Sequence, residues 1–238
     1  MNVSGRRILV LGGSSGIGLA AARQLGERGG QIVVLGRDAA RLDEAVTAIG
    51  SGATGRPLDV LDRDAMAAAF AELAPFDVLV NAATGGERAV GPFMEMDLDG
   101  FQGSFRKLWG YTNSVRLGAS YLPEDGCIVL VSGSPARKCR PGMSAISTVG
   151  NAVEGFVRAV APELAPKRIN VVSPGVIDTP MFGLEGDDRH RFFERATADN
   201  LIPRAGTPDE VAAAIVFAIE NDFVTGTTID VDGGALLP

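Results

Sequence analysis

The chain has 238 residues, 46% of them hydrophobic, and a formal net charge of −7 at pH 7. That length suits one large α/β domain with a substantial core, and the acidic balance excludes a general nucleic-acid-binding surface. No apolar run approaches the ~20 residues of a membrane helix, and residues 1–7 are too short for the charged region of a signal peptide, so a cytoplasmic protein with no membrane association is expected. Cys127 and Cys139 form no Cys-x-x-Cys pair and fit reduced thiols in that compartment.

The first organised stretch is a run of Ile8-Leu9-Val10-Leu11 that stops at Gly12-Gly13-Ser14-Ser15-Gly16-Ile17-Gly18. A helical pattern with Leu19, Ala20, Ala21, Ala22 and Leu25 follows, which predicts strand, tight turn and helix. Glycines at 12, 16 and 18 permit a sharp turn, close approach of an anion and tight packing of helix on strand. The helix start offers unpaired N–H groups and a positive dipole end to a pyrophosphate, with Gly12, Ser14, Ser15, Gly16, Ile17 and Gly18 around it. Taken alone, the motif is also compatible with a purely structural turn.

Further strands are expected at 31–35, 55–58, 78–80, 127–131, 169–172 and 228–231, after the first at 7–11. Helices are expected at about 16–28, 38–49, 63–73, 98–120, 144–165 and 208–220. The apolar strand runs predict strands covered on both faces, and the alternation predicts an α/β fold with a doubly wound parallel sheet in a single domain. Pro162 is expected to end or kink its helix near Val160. Gly150 should cost the same helix about 1 kcal/mol relative to alanine.

The end of the second strand, Leu35-Gly36-Arg37-Asp38, bears on the choice of dinucleotide. Gly36 stands where an acidic residue would bind the ribose hydroxyls of NAD, and Arg37 could pair with a 2′-phosphate, which favours NADP(H) over NAD(H). The plainer alternative for Arg37 is a solvated charge ahead of the helix cap Asp38. Asp59-Val60, after the third strand, places a carboxylate either to accept from an adenine amino group or in an ordinary turn.

With these residues in view, the chain resembles the short-chain dehydrogenase/reductase family over essentially its whole length. Besides the glycine turn and Asp59-Val60, the likeness runs through Asp77-Val78-Leu79-Val80-Asn81-Ala82-Ala83 and Arg168-Ile169-Asn170-Val171-Val172-Ser173-Pro174-Gly175. It continues in Asp178-Thr179-Pro180 and in Thr225-Gly226-Thr227-Thr228-Ile229-Asp230-Val231-Asp232-Gly233-Gly234. The resemblance implies a seven-stranded Rossmann sheet and a bound NAD(P). It implies Asn81 near the adenosine ribose, a Pro174-Gly175 turn beside the nicotinamide, Thr179 on its carboxamide, and a substrate lid over 181–203. It also implies a small carbonyl or alcohol as substrate, and a homodimer or homotetramer built on the helices at 98–120 and 144–165.

The family's proton-transfer group is a tyrosine, assisted by a lysine four residues on, a serine upstream and an asparagine on the preceding helix. Aligned through Ala152-Val153-Glu154-Gly155, the tyrosine position is Ile146, the lysine position Gly150, the serine position Gly133 and the asparagine position Lys107. A phenol of pKa about 10 needs an adjacent cation to work near neutrality, and here both partners are missing. The two tyrosines of the chain, Tyr111 and Tyr121, lie upstream.

Lys107 is the first candidate substitute: its ammonium could be drawn into the vacated lysine site or protonate a substrate oxygen. Ser132 and Ser134 could hold that oxygen, Tyr111 could pair with Lys107 one helical turn away, and His190 could act from the lid. Each also has a plainer role: a solvated helix lysine, strand-end hydrogen bonding, a packed aromatic, a solvated histidine. Ser144 and Ser147 read as helix-start residues, and no cluster has metal-ligand spacing. Two functions follow: an oxidoreductase with a rebuilt proton-transfer site, or a cofactor-binding protein without hydride transfer, such as a sensor, a partner subunit or a non-redox dehydratase or cyclase.

Overall fold

Residues 8–11 are wholly buried because strand β1 (Arg7–Leu11) lies inside a seven-stranded sheet. The computed structural model describes every residue of the chain except Ser51, Gly85, Glu87 and Pro238. The other strands are β2 (Gln31–Gly36), β3 (Thr54–Pro57), β4 (Val78–Asn81), β5 (Cys127–Val131), β6 (Arg168–Pro174) and β7 (Thr228–Val231). All neighbours pair in parallel, in the order β3-β2-β1-β4-β5-β6-β7.

Side chains alternate across β1, so Ile8 and Val10 enter one core while Leu9 and Leu11 enter the other. The first core is closed by helices α1 (Gly16–Glu27), α2 (Ala39–Ile49) and α8 (Pro208–Glu220), through Leu25, Leu42, Ile215 and Ile219. The second is closed by α3 (Arg63–Leu73), α5 (Arg106–Gly118) and α6 (Ser144–Leu164), through Phe70, Tyr111, Val115 and Val153. Each large side chain buried in this way stabilises the fold by about 1.5–3 kcal/mol. Among the described residues, no helix is long and apolar enough to cross a membrane.

Three local expectations are corrected. The edge strands are not covered on both faces: β3 is Thr-Gly-Arg-Pro and mostly exposed, and β7 is only partly buried, because an edge strand has a neighbour on one side alone. The helix expected at 98–120 is two helices, α4 (Leu98–Ser104) and α5, which meet at Phe105. The Ser104 hydroxyl bonds back to the Gly100 carbonyl at 3.0 Å and accepts the Ala89 N–H at 2.9 Å, while Phe105 N–H bonds one residue short, to Gln102. Such back-bonding bends helices. Pro162 does not end α6, which runs on to Leu164. The carbonyl that Pro162 leaves without its N–H belongs to Arg158, an exposed residue that water can serve. Beyond the expected helices, the segment 181–203 contains α7 (Gly186–Thr197).

Strand order reverses between β1 and β4, so their C-terminal ends open a crevice, the usual ligand position in an open parallel sheet. Leu11, the last residue of β1, is paired with Leu35 on one side and Asn81 on the other. Both the glycine turn and the Asn81-Ala82-Ala83 segment therefore leave the sheet at that crevice.

Candidate active site

Gly12 has φ +74°, and a β-carbon there would meet the Ala83 backbone nitrogen at 2.7 Å. A β-carbon at Gly18 would collide with the Gly12 carbonyl oxygen. The turn is thus folded against both the next strand and its own helix, and only glycine fits at these two places. Ser15 is extended and makes no side-chain cap, and the first turn of α1 holds no acidic residue. The N–H groups that open α1 are left uncapped by side chains, in the arrangement a pyrophosphate requires. Thr179 closes the other side, its methyl carbon 3.5 Å from where a β-carbon on Gly16 would stand. These residues fit a dinucleotide.

At the adenosine end, Ser14 Oγ lies 3.3 Å from a β-carbon built on Gly36, so a side chain at 36 would press on the turn. Asp38 caps α2 through the Arg41 N–H and pairs with the Arg41 guanidinium at 3.7 Å. Arg37 is exposed and, among the described residues, in no ion pair. Asp59 Oδ1 accepts the Leu61 N–H at 2.9 Å, and Val60 packs against Gly110 of α5. Asn81 is fully buried; its amide donates to Ser114 Oγ at 2.9 Å and its oxygen accepts the Ala83 N–H at 3.0 Å. Its side chain therefore ties β4 to α5 and shapes the crevice wall from within. Across the crevice, Gly175 sits so close to Asp232 that a β-carbon would be 2.8 Å from its Cα, which seats the Pro174-Gly175 turn on the C-terminal segment.

The reaction end is built from β5, α5 and α6. Ile146 is half-buried and belongs to neither core. Gly150 faces the short turn Ser134–Ala136, where a β-carbon would lie 2.8 Å from the Ala136 methyl carbon and 3.1 Å from its Cα. Ala136 thus leaves no room for a side chain at position 150 itself. Lys107 Nζ donates to the Ser132 carbonyl at 3.2 Å and lies 5.6 Å from the Tyr111 ring centre. Desolvation, with the Arg88 charge nearby, brings the Lys107 ammonium down to a pKa of about 7.

The serines divide. Ser132 Oγ donates to the Gly150 carbonyl at 3.3 Å, while Ser134 Oγ has no hydrogen-bond partner among the described residues. Gly133, between them, faces the Pro174 carbonyl oxygen, 3.8 Å from a β-carbon built there. Tyr111 cannot join Lys107 in proton transfer, because its hydroxyl donates to the Val131 carbonyl at 2.7 Å and burial pushes its pKa far above the ordinary value. His190 is exposed, with Nδ1 3.1 Å from the Gly186 carbonyl of its own helix. Ser144 and Ser147 do not cap α6; Met143 is the cap residue and no side chain caps that end.

Two features were missed in the sequence. Arg189 of α7 pairs with Asp178 and donates to the Leu184 carbonyl at 2.9 Å, fastening the segment that follows Thr179. Arg88 reaches the turn after Thr179 from the loop after β4, with Nη1 3.0 Å from Met181 Sδ. The Arg88 contact has no local sequence signal, since it joins segments far apart in the chain.

The model for enoyl-(acyl carrier protein) reductase matches residues 12–235. The short-chain reductase protein NovJ of Streptomyces niveus is 30% identical over 250 residues, covering 95% of this chain and 92% of NovJ. The chain belongs to the short-chain dehydrogenase/reductase family. This is a family of oxidoreductases that bind a nicotinamide cofactor, and the chain has its seven-stranded sheet. Among solved structures of the family, a small-chain dehydrogenase in complex with NADPH is 31% identical, with a TM-score of 0.83 and coverage of 98% of this chain and 99% of that one. A short-chain oxidoreductase from Pseudomonas aeruginosa PAO1, described as containing an atypical catalytic center, is 27% identical, with a TM-score of 0.88 and coverage of 99% and 98%.

Proposed function

We propose that this family member is an NADP(H)-dependent oxidoreductase of small carbonyls or alcohols in which Lys107 takes over proton transfer. One observation carries the reading: the Lys107 ammonium is anchored at the end of β5 on the Ser132 carbonyl, with a pKa of about 7. An acid poised near the working pH combines a populated protonated form with a favourable proton transfer. The NADPH-bound relative supports the same dinucleotide here, and Arg37 is the cation available for a 2′-phosphate.

Bound NADP(H) would supply or accept the hydride. The backbone of Gly12, Ser14, Ser15, Gly16, Ile17 and Gly18 holds the pyrophosphate, Asp59 and Val60 border the adenine, and Asn81 supports the wall beside the adenosine. Pro174, Gly175 and Thr179 hold the nicotinamide end. In the reducing direction Lys107 gives a proton from Nζ to the substrate oxygen and is reprotonated from solvent. Ser134 donates a hydrogen bond to the same oxygen, and Ser132 orients Lys107 through its carbonyl. Ile146 supplies an apolar wall where the family has its acid. With Gly150 at the lysine position the ribose lacks a charge-assisted hydrogen bond, which weakens cofactor binding by about 1.5–3 kcal/mol.

The test is NADPH oxidation against a panel of carbonyls, alongside calorimetric binding of NADPH. Turnover that collapses in Lys107→Met supports the proposal; tight NADPH binding with no turnover of any carbonyl overturns it. That second result would favour a cofactor-binding protein without hydride transfer (a sensor, a partner subunit, or a non-redox dehydratase or cyclase), to which Ile146 and Gly150 at the tyrosine and lysine positions lend weight. We further propose a homodimer or homotetramer built on α4, α5 and α6, since Leu98 is 74% and Trp109 58% exposed on these helices. Light scattering that returns a monomer would remove that part.

A further inference from the structure

Arg88 lies close enough to Lys107 to bear on its charge, and neither is in an ion pair among the described residues. Other basic residues, Arg37 and Arg63 among them, are also in no ion pair among the described residues; what sets Arg88 and Lys107 apart is that they lie together. Like charges held together in a partly desolvated place are unfavourable until an anion joins them.

The position of Arg88 narrows what that anion is. Its Nη1 rests on Met181 Sδ in the turn that follows Thr179, so the guanidinium bridges the loop after β4 and the lid. A thioether is a weak acceptor, which leaves the planar fork of Arg88 available to a stronger one. Next to Met181, Phe182 begins an aromatic cluster with Phe192 and Phe193, their ring centres 5.0, 5.4 and 5.3 Å apart. Ile146 adds an apolar surface on the α6 side.

We propose that the substrate is an oxo or hydroxy acid with an apolar body, its carboxylate held by Arg88 at the lid and its reacting oxygen at Lys107. The proposal rests on reading the crevice as the substrate site, and narrows that site to one substrate class. The carboxylate completes the charge that the fold leaves unbalanced, the phenylalanine cluster takes the hydrocarbon part, and the lid turn closes over both. A neutral carbonyl compound of the same shape fills the apolar part and leaves Arg88 without its partner.

The experiment is calorimetric titration of the full chain, with and without NADPH, using hexanoate and its neutral isostere hexanamide as probes. Hexanoate should bind about tenfold more tightly or better, and Arg88→Gln should bring the two to near equality. Raising the salt concentration should weaken hexanoate and leave hexanamide unchanged, which tests the charge in the wild-type protein if the Arg88 variant does not fold. Equal affinities for the two probes, or a preference that survives Arg88→Gln, would overturn the proposal. NADPH titrations on the same samples separate the two failures. Lost NADPH binding strikes the dinucleotide site itself, whereas intact NADPH binding with equal probe affinities strikes only the carboxylate.

Discussion

Gly150 and Ala136 pack so closely that a β-carbon on Gly150 would lie 2.8 Å from the Ala136 methyl carbon. The contact explains a glycine in the middle of α6, where it would otherwise cost about 1 kcal/mol. It also means that the family's lysine cannot simply be put back. Gly150→Lys, alone or with Ile146→Tyr, should destabilise the fold by about 1–3 kcal/mol through overpacking. Urea denaturation reads this directly. A double variant of unchanged stability with newly acquired NADPH turnover would show that the position is open after all.

Lys107 carries the largest expected effect on rate. Lys107→Met should lower carbonyl reduction by about 10²–10⁴-fold, the usual contribution of a positioned acid. Reduction by the wild type should fall as pH rises through about 7, because the protonated form is lost there. An unchanged rate in the variant, or a flat profile between pH 6 and about 8, would remove Lys107 from the chemistry.

The same residue predicts a dependence of stability on pH. Lys107 falls from an ordinary 10.5 to about 7 in the folded chain, so between those values the unfolded state binds more protons. Its penalty on folding is therefore fully present below pH 7 and is relieved as pH rises toward 10.5. Lys107→Met should raise Tm at pH 6 by about 2–4 °C for each kcal/mol recovered, and by less at alkaline pH. Scanning calorimetry at the two ends of that window decides it; an equal gain at both ends would mean that packing, not charge, is responsible.

Tyr111→Phe tests the neighbouring phenol. Its hydroxyl donates to the Val131 carbonyl inside the fold, so the variant should lose about 0.5–1.5 kcal/mol of stability with turnover essentially unchanged. A large fall in rate at constant stability would return Tyr111 to the proton path.

The proposed preference for NADP(H) is tested at Arg37. Arg37→Ala should weaken NADPH by about 1.5–3 kcal/mol, roughly ten- to a hundredfold, and leave NADH nearly untouched. Equal losses for both cofactors would assign Arg37 to something other than a 2′-phosphate.

Much of the fold was legible because its signals are local. The apolar runs of β1, β5 and β6 and the glycine turn at Gly12, Gly16 and Gly18 each announce themselves within a few residues. The errors fell where neighbours overruled local pattern. Ser104 bends the helix at Phe105 by bonding back to Gly100, and the edge position of β3 frees it from needing apolar residues. At the site, the missing tyrosine and lysine could be read from Ile146 and Gly150, but what takes their place could not. Arg88, Met181 and Ala136 enter only through contacts between segments far apart in the chain.

The sequence by itself determined a doubly wound sheet with a dinucleotide cradle at its switch point, because periodicity and glycine spacing act over one strand, one turn and one helix. Only the tertiary structure decided that Ala136 leaves no room for a side chain at position 150, that Lys107 is held at Ser132 beside Arg88, and that Ser134 rather than Ser132 has a hydroxyl without a partner among the described residues. Desolvation and steric closure depend on which distant segments meet, and the arrangement of β5, α5 and α6 around the crevice sets both.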